Sequence, residues 1–193
     1  FYFVQLASFA TKGNSNEGCA WAEIREAQTN TLKLKNTGMI VTTDLVTNPY
    51  DIHPTNKQDV GKRLAAVALH NTYNQKSVSF LGPTFKSFEN KDGKAILTFD
   101  NVGSGLMTID KYGYIKGFEV AGADKVFRFA KAVIEDNKVV LTCDKVNHVV
   151  AVRFGWMGDA SECNLFNQEG FPAAPFRTDD WKLSTESVKY IIK

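Results

Sequence analysis

Asp51-Ile52-His53-Pro54 is the segment of this sequence whose residue types and spacing can do chemistry. A carboxylate two residues ahead of an imidazole, in a turn, can bend back to accept the Nδ1 hydrogen. That bond sets the tautomer, leaves Nε2 as a general base and stabilises the imidazolium once it forms. Pro54 restricts His53 to an extended or turn conformation. A purely structural alternative stands beside this one: Asp51 or His53 caps the helix beginning near Thr55, since Asp before a helix is a common N-cap. Asp44 is a second acid that could face His53. Trp21 and Arg25 lie one helical turn apart, hence on one face. Arg25 can either grip a substrate carboxylate through its two-pronged fork or pair with Glu23 or Glu26.

What the pair lacks is a nucleophile. Acyl transfer needs a Ser or Cys within reach of the base, plus oxyanion donors. The sequence has no Gly-x-Ser-x-Gly elbow and no Gly-Asp-Ser or Gly-Gln-Ser turn, and Ser8, in Ala7-Ser8-Phe9, lacks the glycines of a tight elbow. His70 belongs to a helix end and His148 to a turn, so the three histidines suggest no metal cluster. Cys19, Cys143 and Cys163 form no CxxC and no zinc pattern. No metal or cofactor is expected, and Cys143, on an apolar period-2 face, reads as a buried thiol.

The elements that must position these residues fall into two grammars. Phe1 to Ala7 is an apolar run of the kind found in strands covered on both faces. A Gly/Asn/Ser loop follows, then a helix with Trp21, Ile24 and Ala27 or Gln28 at helical spacing. A second short strand spans Met39 to Thr43. After the loop Asp44 to Pro54, Thr55 with Gln58 makes a capping box ahead of the stripe Val60, Leu64, Val67 and Ala68. Residues 1–75 therefore read as α/β, with the boundary near Asn71 to Ser77. Residues 76–193 read as an antiparallel sandwich or barrel, from alternating strands separated by turns every 8–12 residues or so.

Composition closes off several classes of function. The 193 residues are 44% hydrophobic and 23% charged, with a net charge of +2, an ordinary globular balance. The charge is dispersed, with no basic run to neutralise a row of phosphates, which argues against nucleic acid. No apolar stretch approaches the ~18 residues of a membrane span, which argues against a membrane protein. The chain opens Phe1-Tyr2-Phe3-Val4, inside strand-like sequence, so an upstream portion is expected outside it.

Phe1-Tyr2-Phe3-Val4-Gln5-Leu6-Ala7, Trp21 through Gln28, Thr42-Thr43-Asp44-Leu45 and Asp51-Ile52-His53-Pro54 through Leu64 together resemble the sialate O-acetylesterase family. Gly117 through Asp124, Val152 through Trp156, Asn164 through Asn167 and Pro175 through Asp179 resemble its C-terminal region, so the match runs along the whole chain in order. The resemblance implies an SGNH-type hydrolase that removes acetyl esters from sialic acids and is secreted, periplasmic or lysosomal. It implies a Ser nucleophile in an N-terminal Gly-Gln-Ser-Asn type motif, with His53 as general base and Asp51 as its orienting acid. The usual spacing in such enzymes is Asp-x-x-His, whereas Tyr50 stands at that position here, and the acid stays open between Asp51 and Asp44. Arg25, with Trp21, is the candidate for binding the substrate. The implied fold is the C-terminal remnant of an SGNH-type α/β domain followed by an antiparallel β-sandwich-like domain. Its implied partners are the missing N-terminal part of the enzyme and an O-acetylated sialic acid or related sugar. The exposed α/β edge would also allow a dimer. A carbohydrate-binding or interdomain β-module, with Trp156, Phe166 and Trp181 as stacking faces, and an acetylxylan-type esterase are the alternatives.

Overall fold

A computed structural model describes residues 1–189; residues 190–193, the end of the second expected domain, lie outside the described residues. Strand β1 (Tyr2–Val4) is followed by helix α1 (Ala20–Asn30), strand β2 (Gly38–Ile40) and helix α2 (Lys57–Asn71). The two strands pair in parallel, Tyr2 opposite Gly38 and Val4 opposite Ile40, a pairing that needs a crossover such as α1. Gly38 allows α2 to approach: a Cβ there would stand 2.6 Å from Val67 Cγ1 and 2.8 Å from the Tyr2 ring.

Three local expectations are corrected here. The run Phe1 to Ala7 is not covered on both faces, since Phe1 and Val4 are exposed while Gln5 and Ala7 are buried. On α1 the apolar stripe is not the inward face: Ile24 is 48% exposed, and the helix turns Ala22, Glu23 and Arg25 inward. The polar inward residues are tolerated because each finds hydrogen-bond partners, described below. The cap of α2 is shifted by one residue from the expected box. Asn56 is the N-cap; its side chain accepts the Asp59 N–H at 3.1 Å and donates to the Asp59 carboxylate at 2.7 Å.

Beyond α2 the described chain has only strands and turns. In order these are β3 (Thr84–Lys91), β4 (Lys94–Asp100), β5 (Leu106–Thr108), β6 (Phe118–Ala121), β7 (Arg128–Phe129), β8 (Lys131–Glu135), β9 (Lys138–Thr142), β10 (Ala151–Phe154), β11 (Leu165–Asn167) and β12 (Phe176–Arg177). They form two four-stranded antiparallel sheets, β3-β4-β9-β8 and β12-β10-β6-β7, with β11-β5 as a separate pair. Asp92-Gly93 and Asp136-Asn137 close two hairpins with φ of 51°, 73°, 48° and 59°, the left-handed pairs that match strand twist. Leu97, Val139 and Leu141 from the first sheet share one core with Phe118, Val120, Val152 and Phe154 from the second. Cys143 is only half-buried, since its strand ends at Thr142, while Cys19 and Cys163 are buried; all three are free thiols.

The outer face of the second sheet is covered too, so β6 and β10 are buried at every position. Ala121 and Ala151 pack with Phe127 and Trp181. Arg153 bonds Asp179 at 2.9 Å through two nitrogens and the Ser15 carbonyl at 3.0 Å. Arg177 links Asp179 at 3.2 Å to Glu26 of α1 at 2.7 Å. Against the burial that would raise it, Arg153 and Arg177 hold the Asp179 carboxyl below the usual carboxylate range. Glu119 goes the other way: burial pushes its carboxyl up, partly offset by the Ser15 hydroxyl and by Arg153. Trp156 is buried against Cys19 and Ala22, its ring centre 5.0 Å and 5.5 Å from the guanidinium carbons of Arg153 and Arg177.

This junction generates two expectations. Trp156→Ala removes the ring on which the α/β segment and the sheet both rest, and costs about 3–5 kcal/mol in urea denaturation. A loss under ~1 kcal/mol would mean that the two parts are not held together there. Because the folded-state pKa of Glu119 is raised, the stability it contributes is full below the ordinary glutamate value and is lost as pH rises through the raised one. Glu119→Gln therefore melts at or above the parent at pH 7 and loses that advantage toward pH 4. A parallel pH profile for the two proteins would contradict it.

Candidate active site

The loop between β2 and α2 begins with a short 3-10 turn at Thr43–Leu45 and carries Asp51 and His53 just ahead of the Asn56 cap. Asp51 Oδ1 accepts two hydrogen bonds from one residue, the His53 backbone N–H at 2.9 Å and His53 Nδ1 at 2.8 Å. The first closes an Asx-turn, which brings the imidazole round to the carboxylate. The His53 backbone and ring hydrogen bonds, in that order, hold the Asp51 carboxyl below the usual range, so it is the anion that orients the ring. Asp51 is the one hydrogen-bond partner of the imidazole among the described residues, and Nε2 has none. The side chains are 76% and 52% exposed for His53 and Asp51. The loop beneath them is tied down by Asp51 N to the Asn48 carbonyl at 3.0 Å and by Ala10 N to the Pro49 carbonyl at 2.6 Å.

The other sequence candidates go elsewhere. Neither Asp51 nor His53 caps the helix, because Asn56 does. Asp44 does not face His53. It forms a two-pronged ion pair with Arg63 of α2 at 2.8 Å and 2.6 Å, and Arg63 also donates to the Val41 carbonyl at 2.7 Å. Both side chains are largely buried. Asp44 is thereby spent on locking the start of the loop to the helix that follows it.

Arg25 cannot receive a substrate carboxylate. Its guanidinium is wholly buried and donates to four main-chain carbonyls, Leu6 at 2.9 Å, Ala7 at 2.7 Å, Met157 at 2.8 Å and Gly158 at 2.8 Å. Nor does it pair with its helical neighbours. Glu23 accepts from Ser184 and Thr185, and Glu26 from Arg177. Burial lowers the Arg25 pKa to about 10, which leaves it cationic at neutral pH. Trp21 donates its indole N–H to the same Ala7 carbonyl at 2.8 Å and lies 5.3 Å from the Phe9 ring. Both residues of this face thus hold the end of β1 rather than a ligand. Ser8 is sealed in as well, donating to the Thr43 carbonyl at 3.0 Å and accepting from Ala160 N at 3.1 Å.

The ion-pair chain Arg153–Asp179–Arg177–Glu26 was not anticipated from the sequence. Its signal was there: an arginine inside the apolar run Val149 to Phe154 has to meet an acid when the strand is covered on both faces. Among the described residues no group of three or more His, Cys, Asp or Glu could hold a metal ion, and no helix is long and apolar enough to cross a membrane.

No family model matches the chain. The mouse sialate O-acetylesterase is 31% identical over 196 residues, covering 91% of this chain and 35% of that protein. The human enzyme of the same name is 28% identical over 201 residues. A crystal structure described as a novel carbohydrate acetylesterase from Xanthomonas citri superposes with a TM-score of 0.86 at 44% identity, covering 94% of this chain and 41% of its own. This chain is related to the sialate O-acetylesterases. It spans about a third of the length of the mouse and human relatives, 35% and 36%. The mostly-sheet fold with two helices matches the corresponding part of that carbohydrate acetylesterase structure.

The Arg25 clamp carries its own prediction. Arg25→Ala leaves the buried Leu6 and Met157 carbonyls without a donor, takes one of two donors from the Ala7 and Gly158 carbonyls, and costs roughly 3 kcal/mol or more in chemical denaturation. Arg25→Lys does not restore it, because a point charge cannot reach both segments as a planar fork does. Full rescue by lysine would argue that only the charge matters.

Proposed function

We propose that this chain is the C-terminal portion of a carbohydrate O-acetylesterase, bringing a His53–Asp51 pair to a serine supplied by another part of the enzyme. The single observation that carries the reading is the 2.8 Å contact between Asp51 Oδ1 and His53 Nδ1, with Nε2 left unengaged. On this reading β1, α1, β2 and α2 belong to an SGNH-type α/β domain, residues 1–75, and residues 76–193 form a sandwich appended to it. Asp51 keeps the Nδ1 hydrogen in place, so Nε2 is the basic nitrogen. His53 takes the serine proton as the hydroxyl attacks the acetyl carbonyl, then hands it to the departing sugar oxygen. Water repeats the cycle, and acetate leaves with the serine restored. Asp51 balances the charge on the imidazolium at each step.

The proposed substrate is an O-acetylated sialic acid, in keeping with the names of the curated relatives; another acetylated sugar such as xylan has the same ester chemistry. The proposed partner is the remainder of the enzyme, or a second copy at the exposed edge beside Phe1 and Val4, in a secreted, periplasmic or lysosomal setting. A second reading, an interdomain β-module without activity of its own, draws support from Trp156, which is buried at the junction instead of presenting a stacking face.

Hydrolysis of p-nitrophenyl acetate and of a 9-O-acetylated sialic acid tests the reading. The chain alone should be silent, and addition of the N-terminal portion should restore turnover. His53→Ala in the reconstituted pair should lower kcat by roughly 10²–10⁴-fold. Full activity from the isolated chain would overturn the split-site reading, and reconstituted activity indifferent to His53→Ala would remove His53 from the mechanism.

A further inference from the structure

A second concave site lies in the β part, built from elements other than the His53 loop. The segment 114–118, the β7–β8 corner at 129–132 and the turn 157–163 enclose a cleft of about 630 Å³, within the range of small-molecule sites. We propose that this cleft binds a neutral saccharide, with Phe129 as its stacking platform. The proposal goes beyond the esterase reading and does not depend on it, because what it predicts is binding and not turnover.

Three observations select that ligand class. Phe129 is 73% exposed and Tyr114 42% exposed. A large ring left open on a strand that lines a cavity is a surface awaiting an apolar face. Phe118 and Cys163 form an uncharged base, with the Cys163 thiol pushed up to about 12 by burial. Around that base stand two cations and two carboxylates, Lys116 and Lys131 against Asp159 and Glu162. Lys116 Nζ and Glu162 Oε1 are 3.4 Å apart, and Lys131 Nζ lies 5.1 Å from the centre of the Tyr114 ring.

That balance excludes the competing chemistries. A phosphate or carboxylate ligand would meet as many acids as bases, and an organic cation as many bases as acids. An aliphatic chain or apolar peptide would strip water from four charged heads and offer none of them a hydrogen bond in return. A pyranose satisfies both halves, its C–H face on the aromatic ring and its hydroxyls on the ammonium and carboxylate groups. The walls are also preorganised. Asn164 accepts from Lys116 N at 2.7 Å and donates to the Tyr114 carbonyl at 3.1 Å, while Ile115 N bonds the Ala132 carbonyl at 2.9 Å. Gly117 at φ 94° leaves room for the Cys163 sulfur, which a Cβ there would strike. A rigid wall lowers the ordering cost of binding.

Isothermal titration of the chain with cellohexaose, xylohexaose and mannohexaose, and with sialyllactose as the charged comparator, tests the assignment. At least one neutral hexasaccharide should bind saturably. Phe129→Ala should weaken that binding at least tenfold at an unchanged melting temperature, because the exposed ring supports no core. Glu162→Gln should weaken it too, without loss of fold. Absence of binding by all three neutral sugars would overturn the proposal. So would affinity unaffected by Phe129→Ala, or sialyllactose bound more tightly than every neutral sugar. Sedimentation that shows a dimer, converted to monomer by Phe129→Ala, would assign the cleft to a second copy of the chain instead. None of these outcomes depends on His53, so they separate cleanly from a failure of the esterase reading.

Discussion

One buried cation holds this molecule together. The Arg25 guanidinium lies where the end of β1 meets the turn after β10, and it satisfies carbonyls from both, Leu6 and Ala7 on one side and Met157 and Gly158 on the other. Burying a charge without a carboxylate in direct contact is costly. The cost is met by four carbonyl dipoles converging on one planar group, and two of those carbonyls, Leu6 and Met157, would otherwise be stranded at the junction. The geometry passes onward from there. Phe9 N bonds the Gly158 carbonyl at 3.1 Å, Ala10 N bonds the Pro49 carbonyl at 2.6 Å, and Pro49 begins the turn that carries Asp51 and His53. The catalytic candidate thus inherits its position from a residue that touches neither of its members.

Around that clamp the junction is polar in a way ordinary cores are not. Glu23 receives Ser184 and Thr185, Arg177 joins Glu26 to Asp179, and Asp179 takes both prongs of Arg153. Each of these groups would be expensive alone and is tolerable as part of a satisfied set. The apolar share of the interface is concentrated on Trp156, whose ring is shared between the sheet and α1. The central strands β6 and β10 of the second sheet consequently have no free face: one side forms the common core, and the other is covered by the α/β part together with Phe127 and Trp181.

Local signals in the sequence were reliable where local chemistry decides the outcome. The Asp-Gly and Asp-Asn turns, the alternation of Ala95, Leu97 and Phe99, and the carboxylate two residues before His53 all act over a few residues, and all can be read there. Long-range pairing could not be read. Nothing near Arg25 announces that its partners lie 132 and 133 residues away. It therefore read as an arginine either for a substrate carboxylate or for pairing with its helical neighbours Glu23 and Glu26. Asp44 has the same history, since its partner Arg63 sits 19 residues on. On α1 the hydrophobic stripe misled because the buried side needed hydrogen-bond donors and acceptors more than bulk, which left Ile24 outside. The cleft beside Phe129 is a product of three segments brought together by the sheets, and no single stretch of sequence carries its signature.

The reach of these contacts also governs how the chain acquires its structure. Ser8 is bonded to Ala160 across 152 positions and Glu23 to Thr185 across 162. Helix α1 is therefore made early but finds its buried partners only when nearly the whole chain exists. Closing loops of that size is entropically slow, and folds dominated by such distant pairings reach their native state late. A nascent chain will hold Arg25, Glu23 and the end of β1 unsatisfied until β10 and the segment around Ser184 emerge. Through that interval the hairpins β3–β4 and β8–β9, whose partners are close in sequence, are the parts able to form on their own.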